Sequence, residues 1–387
     1  MKTLFFTIGL FICAVVIAQP SLTKGGGVEK QRHDNMPETT RMYYWQRNIR
    51  NQQKLLREGK LKTQNRGTHP LYAFPLQNNT LDAGFYGISN YVDMNAAFPN
   101  QTQDFNCGTR TYDLNSGYNH QGIDFFTFPY GWDKMDNNQV SVHAVASGII
   151  IDKTDNNPDR SCSFNVTTDW NYISVRHADG SYVWYGHMKA GSLTTKIVGN
   201  SVNEGEFLGI VGSSGISTGP HLHLETHTVT DQLIEPFTGA CNSLNTDTWW
   251  QSQENYYNSK IVKIATHSQP PNPYPSCPTT TDITHYQDNF TTPVTIYLAR
   301  YYRDQLPNQN SHMKVYKPNG AVFAEWDHAP NGFGHYASSY WYNQIDLSAG
   351  NASYSGQWTF ETTYEGLTTL HKFNVDIIDV IYANGFE

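Results

Sequence analysis

The sequence has 387 residues, with 26 Lys or Arg against 34 Asp or Glu for a net charge of −8, and only 16% of its residues are charged while 14% are aromatic. That length exceeds one ordinary domain and suits two. An acidic balance without a nucleic-acid motif argues against a nucleic-acid partner, and a composition rich in Tyr, Trp, Asn, Gly and Thr favours strands and turns over helices.

In chain order, residues 1–18 read as a secretory signal peptide. Lys2 precedes an uncharged apolar run over residues 4–18 that is too short to cross a bilayer comfortably. The expectation is a protein of the periplasm or the extracellular space, with no integral membrane span once the signal is removed. Residues 19–66 form a basic leader: from Lys24 onward they hold eleven Lys or Arg against four Asp or Glu. Within it, Pro37-Glu38 opens a helix predicted over about 38–58, with Met42, Trp45, Ile49 and Leu56 at helical spacing and Gly59 at its end. Such a leader either binds anionic polymers, lies across the acidic body, or packs beside it as a solvated helix.

Residues 67–245 hold strand-like segments at 139–151, 172–176, 182–187, 207–211 and 221–227, with Asp179-Gly180 as a hairpin turn. A Pro-rich stretch, 246–280, reads as a stiff linker. Residues 281–387 again read as strands, at 294–299, 313–316, 340–345 and 357–360. The fold class is therefore mainly β: a β-sheet groove domain followed by a second, β-sandwich-like domain, with a helical N-terminal leader. In the second domain Trp326, Tyr340, Trp341 and Tyr342 either stack on sugar rings or belong to the core. Outside the signal lie Cys107, Cys162, Cys241 and Cys277, an even set that implies two disulfides. Order and domain membership favour Cys107–Cys162 and Cys241–Cys277 among the three possible pairings.

Three histidine motifs carry the chemistry. The first is His120-Gln121-Gly122-Ile123-Asp124, the second Tyr185-Gly186-His187-Met188, and the third Thr218-Gly219-Pro220-His221-Leu222-His223-Leu224-Glu225. On a strand, residues two apart share a face, so His221 and His223 project side by side, with Glu225 on the same face. Alone, an H-x-H pair also describes an exposed polar strand, and Asp124 a salt-bridge partner. Together, His120, Asp124 and His223 supply the nitrogen–oxygen–nitrogen set of an open catalytic zinc site. No thiolate or thioether is offered by these motifs, which disfavours copper.

The ordered set H-x-x-x-D, Y-G-H and G-P-H-L-H-x-E, with the Gly-rich lead-in over 209–215, resembles the lysostaphin and LytM-type zinc metalloendopeptidases, whose β fold acts on peptidoglycan. The resemblance covers about residues 70–240. It implies that His120, Asp124 and His223 ligate Zn2+, that His187 and His221 form the catalytic pair, and that an N-terminal pro-segment blocks the site. It also implies peptide cross-links of bacterial cell walls as substrate, often at glycine-containing bonds. A polar insert around 152–169 is the main departure from the pattern. Two alternatives stand beside this reading: a secreted protease on Gly-rich extracellular protein, and a non-catalytic wall-binding or amidase-activating module.

Overall fold

Period-two alternation builds the central sheet. Along the strand Tyr182–Gly186, Val183 and Tyr185 turn into the main hydrophobic core, whereas Tyr182 and Trp184 turn to the opposite side and join a separate aromatic cluster. The neighbouring strand Tyr172–Arg176 divides in the same way, with Ile173 and Val175 in the core and Tyr172 in the cluster. The computed structural model describes residues 18, 20–29, 33–62, 67–275, 281–330 and 334–377. Most of the expected signal segment, residues 1–17, lies outside these, as does Cys277.

The large antiparallel sheet runs in the order Tyr86–Asn90, Ile123–Thr127, His221–His227, Tyr182–Gly186, Tyr172–Arg176, Gly148–Thr154 and Ser201–Val202. His221–His227 is thus a central strand, flanked by the strand bearing Asp124 and the hairpin that ends at His187. A smaller sheet of Phe207–Ile210, Val140–His143 and Leu76–Asn78 adds Leu208, Val140, Val142 and Leu76 to the same core. The single strand expected over 139–151 is two, Val140–His143 and Gly148–Thr154, which belong to different sheets.

Helix α1 spans Glu38–Arg57. Its buried residues Arg41, Tyr44, Asn48 and Leu55 recur at helical spacing. Tyr44 and Leu55 pack on Trp170, Tyr172, Tyr182 and Trp184, so α1 covers the back of the large sheet. A short helix α2, Gly131–Asp136, follows the Asp124 strand.

Two strands depart from the expected boundaries. Lys260–His267 lies inside the stretch expected to be a linker, yet it pairs with Val294–Gln305 in the C-terminal region; Trp249 and Trp250, also in that stretch, are buried in the core of the large sheet. Lys24–Val28, in the leader, pairs with Tyr336–Leu347 and completes a four-stranded sheet with those two. That sheet packs through Ile264, Ile296, Leu298, Ile345 and Leu347 against a five-stranded sheet. Of the aromatics singled out there, Trp341 is buried, Trp326 packs beside Phe360, and Tyr340 and Tyr342 are half-buried.

The cysteine pairing is also corrected. Cys107 is joined to Cys241, across 134 residues of sequence, rather than to Cys162, and Cys162 is itself disulfide-bonded. Order along the chain misleads here because Phe105 and Phe237 stack in the core, at 5.2 Å between centroids, and bring the two loops together. Among the described residues no helix is long and apolar enough to cross a membrane.

Candidate metal centre and active site

Strand register brings the three motifs to one point. His223 lies opposite Asp124 on one side and Gly186 on the other, directly before His187. Two glycines allow close packing here, one against His223 and one against Trp170. A Cβ on Gly122 would lie 2.5 Å from the His223 ring, and one on Gly186 would lie 2.1 Å from the Trp170 ring. Gly122 thus serves close packing, at a bend just before the strand Ile123–Thr127. At His187 the chain leaves the strand with φ of 60°, a left-handed conformation that a non-glycine residue rarely adopts and that is common at working sites.

Hydrogen bonds fix which nitrogen of each ring faces inward. The Nδ1–H of His120 donates to the Tyr91 carbonyl at 2.8 Å, that of His187 to the Ser214 carbonyl at 2.7 Å, and that of His221 to the Gly219 carbonyl at 2.9 Å. A carbonyl only accepts, so in all three the Nδ1–H is turned outward and Nε2 is the atom turned toward the centre. These three Nε2 atoms are buried without a hydrogen-bond partner. His223 is reversed: its Nδ1 faces Asp124 Oδ1 at 3.0 Å and its Nε2 meets Glu225 Oε2 at 3.1 Å. Asp124 Oδ2 sits 3.1 Å from His120 Nε2 and accepts from the Asn90 side chain at 3.0 Å.

A residue that the motifs did not reveal completes the cluster. Asp34, from the leader, places Oδ2 at 2.8 Å from His223 Nδ1 and 3.5 Å from His187 Nε2, while its Oδ1 accepts from Tyr112 and Tyr118, each at 2.6 Å. The strap around it, residues 33–37, crosses the groove. The His33 carbonyl accepts from the Thr218 amide at 2.9 Å, and the His33 ring stacks on His221 with centroids 4.7 Å apart. Cavities open on both sides of the strap. One, of about 250 Å³, lies between α1 and residues 166–170 of the polar insert; the other, of about 330 Å³, runs from His33 past Phe128 and Trp132 to Tyr274.

Asp34, His120, Asp124 and His223 present ligand atoms all within 4.8 Å of one another, and so do Asp34, His187 and His221. Burial disfavours charge throughout this cluster, yet Asp124 is held well below the usual carboxylate range by His120 and His223, and Asp34 likewise by His223 and His187. Two buried carboxylates and inward-facing imidazole nitrogens, gathered in two groups that share Asp34, suit a divalent cation. His221 is held well below its ordinary value by burial and then by His187, whose ring lies 4.5 Å away, so it is neutral near pH 7. The five motif residues are therefore brought together, while the aromatic residues of the C-terminal region lie elsewhere. No sequence signal marks Asp34, which stands in a leader conspicuous for positive charge.

Comparison with known proteins gives the same segment. Residues 118–236 match the model of Peptidase family M23. The DD-carboxypeptidase/endopeptidase Mpg of Neisseria meningitidis serogroup B is 43% identical over 70 residues, which cover 18% of this chain and 15% of that protein. Endolysin 2638A of Staphylococcus phage 2638A is 33% identical over 129 residues, 30% of this chain and 24% of the endolysin. An uncharacterized metalloprotease of Haemophilus influenzae is 36% identical over 67 residues, 17% of this chain and 13% of that protein. The matched segment thus spans less than a quarter of the length of each of these relatives.

Proposed function

We propose that the chain, whose residues 118–236 match the model of Peptidase family M23, is an extracytoplasmic zinc metalloendopeptidase that hydrolyses peptide bonds in bacterial peptidoglycan, held here in a latent form. The observation that carries the proposal is the convergence of His120, Asp124 and His223 ligand atoms beside the His187–His221 pair, in a groove open at both ends of the strap. Two of the similar proteins, a DD-carboxypeptidase/endopeptidase and an endolysin, support the substrate class.

In this reading His120, Asp124 and His223 hold the zinc. Bound zinc lowers the pKa of its water to near 7 and polarises the scissile carbonyl. The chain's own residues do the rest. Neutral His221 accepts a proton at Nε2, and its Nδ1–H, tied to the Gly219 carbonyl, keeps that lone pair aimed inward. His187, anchored to the Ser214 carbonyl, is placed to hydrogen-bond the developing oxyanion or to deliver the proton to the leaving amine. Phe126, at the start of one cavity, and Trp170, at the edge of the other, keep water from the groove walls.

Asp34 lies among the ligand atoms, where water or substrate would have to enter, so the strap over residues 33–37 is the element that restrains the enzyme. The C-terminal sandwich then serves to hold the wall, with half-buried Tyr340 and Tyr342 as the aromatic contacts. The test is mass spectrometry of fragments released from purified peptidoglycan by the zinc-loaded chain with the strap removed. Muropeptides shortened at a peptide bond are expected. Release of glycan fragments alone, or of none, would overturn the proposal.

A further inference from the structure

A second charged side chain near the centre, besides Asp34, belongs to no motif. Arg41 sits on the buried face of α1, 8% exposed, and its Nη1 donates to Glu225 Oε1. Glu225 is fully buried. Its Oε1 also accepts from His227 Nε2 at 2.6 Å, and its Oε2 meets His223 Nε2 at 3.1 Å. His223 is therefore the one histidine of the four whose outer nitrogen is held by a carboxylate instead of a backbone carbonyl.

We infer that Arg41 and Glu225 are positioning residues for His223, and that α1 consequently stays with the working enzyme when the strap leaves the groove. The inference rests on the metallopeptidase reading and deepens it. A carboxylate with no solvent contact stays ionised only when paired. Two more buried carboxylates, Asp34 and Asp124, already contact the same histidine. Arg41 supplies the compensating charge. Glu225 accepts from the Nε2–H of His223, which fixes the ring with Nδ1 on the Asp124 side and would make that nitrogen a better ligand for a bound metal. Without Arg41, Glu225 loses the partner that holds its Oε1, and the carboxylate that anchors the His223 ring is less firmly placed.

The two parts of the leader are held differently. The strap touches the domain through the His33 carbonyl, the His33 ring and Asp34. Helix α1 buries Tyr44 and Leu55 among Trp170, Tyr172, Tyr182 and Trp184, and ties Arg47 to Asp152 at 2.6 Å. Removing α1 would uncover that aromatic cluster and take from Glu225 the arginine that contacts it. Pro37 is the boundary between a part that obstructs and a part that supports.

The experiment measures zinc affinity of the full chain by competition with a chelator of known affinity, alongside thermal unfolding. Arg41→Met and Glu225→Gln are expected to weaken zinc binding about 10- to 100-fold, and Arg41→Lys to recover part of the loss. Arg47→Met serves as the control: it removes an α1 cation that touches no histidine of the centre, and is expected to lower the unfolding midpoint with zinc affinity unchanged. A folded Arg41→Met chain that binds zinc within twofold of the parent would overturn the inference. Should Arg41→Met not fold, Glu225→Gln decides, and parent-like affinity in that variant overturns it equally. A parent chain that binds no zinc would instead sink the metallopeptidase reading itself, so the two failures are separable.

Discussion

Replacing Asp34 by Ala isolates the obstruction from the rest of the leader. The Asp34 carboxylate accepts hydrogen bonds from Tyr112 and Tyr118 at 2.6 Å each and faces His223 Nδ1 at 2.8 Å. Hydrogen bonds to a charged group contribute about 1.5–3 kcal/mol each. Counting only the two tyrosines, at the lower end, the strap loses about 3 kcal/mol of hold, which is about a hundredfold in the ratio of closed to open forms. The His33 carbonyl and ring contacts remain, so the strap still returns, but a substrate competes with it more easily. A closed form reduces apparent affinity in proportion to the open fraction. The expected outcome is therefore a rise in kcat/KM on a small soluble peptide of at least about tenfold, carried mainly by KM. Full-length parent and Asp34→Ala chains should be compared at equal, measured zinc content. An unchanged kcat/KM at equal zinc would refute the argument that Asp34 holds the groove shut.

Three other outcomes follow from the same geometry. His120→Ala, Asp124→Ala and His223→Ala should lose zinc and turnover together, while His187→Ala and His221→Ala keep zinc and lose turnover; metal analysis beside peptide cleavage separates the two groups, and a His187→Ala chain as active as the parent would contradict its role. Gly122→Ala pushes a methyl against the His223 ring, 2.5 Å from its nearest atom, and should cost about 1–3 kcal/mol of stability as well as weakening zinc binding; equal zinc affinity would show that the ring yields freely. Glu235 is fully buried, and that burial pushes its carboxyl up to about 8 despite amide hydrogen bonds from Val92 and Phe237. Because the folded-state value lies above the unfolded one, its contribution to stability is full below about pH 4.5 and is lost as pH rises through about 8. Glu235→Gln should therefore gain on the parent across that window, by about 1.4 kcal/mol per pH unit at most, in urea unfolding measured from pH 5 to 9; a difference independent of pH would contradict the shift.

The local parts of this molecule were readable from residue order. Alternation along 182–187 placed Val183 and Tyr185 opposite Tyr182 and Trp184, and the structure divides them between two clusters in that way. The helix predicted over about 38–58 is Glu38–Arg57. The five motif residues meet because adjacent antiparallel strands put short, separately recognisable patterns in register. What remained hidden depends on distant contacts with no periodic trace. Asp34 and Arg41 act on residues far along the chain, His223 and Glu225, and neither stands in a pattern that announces a partner. The cysteine pairing failed for the same reason, since sequence order says nothing of which loops the Phe105–Phe237 stack draws together. The Pro-rich stretch misled differently. Its prolines lie mostly beyond residue 269, and the apolar, β-branched run before them is a strand of the C-terminal sheet.

Lys24–Val28 is an added edge strand of the C-terminal sheet, whereas α1 is bolted to the back of the catalytic sheet. The obstructing residues between them are therefore moored at two shores. A single proteolytic nick ahead of Glu38 would not shed the upstream piece, because five residue pairs still stitch it to Tyr336–Leu347. The nicked protein would migrate as two fragments under denaturing conditions and as one particle under native ones. The severed end would linger at high local concentration, so that a cleaved molecule passes through a half-released stage in which the plug is free to swing out and to fall back. Full release would then require the edge strand to peel away as well, which couples unlocking of the groove to whatever engages the rim of the C-terminal sandwich.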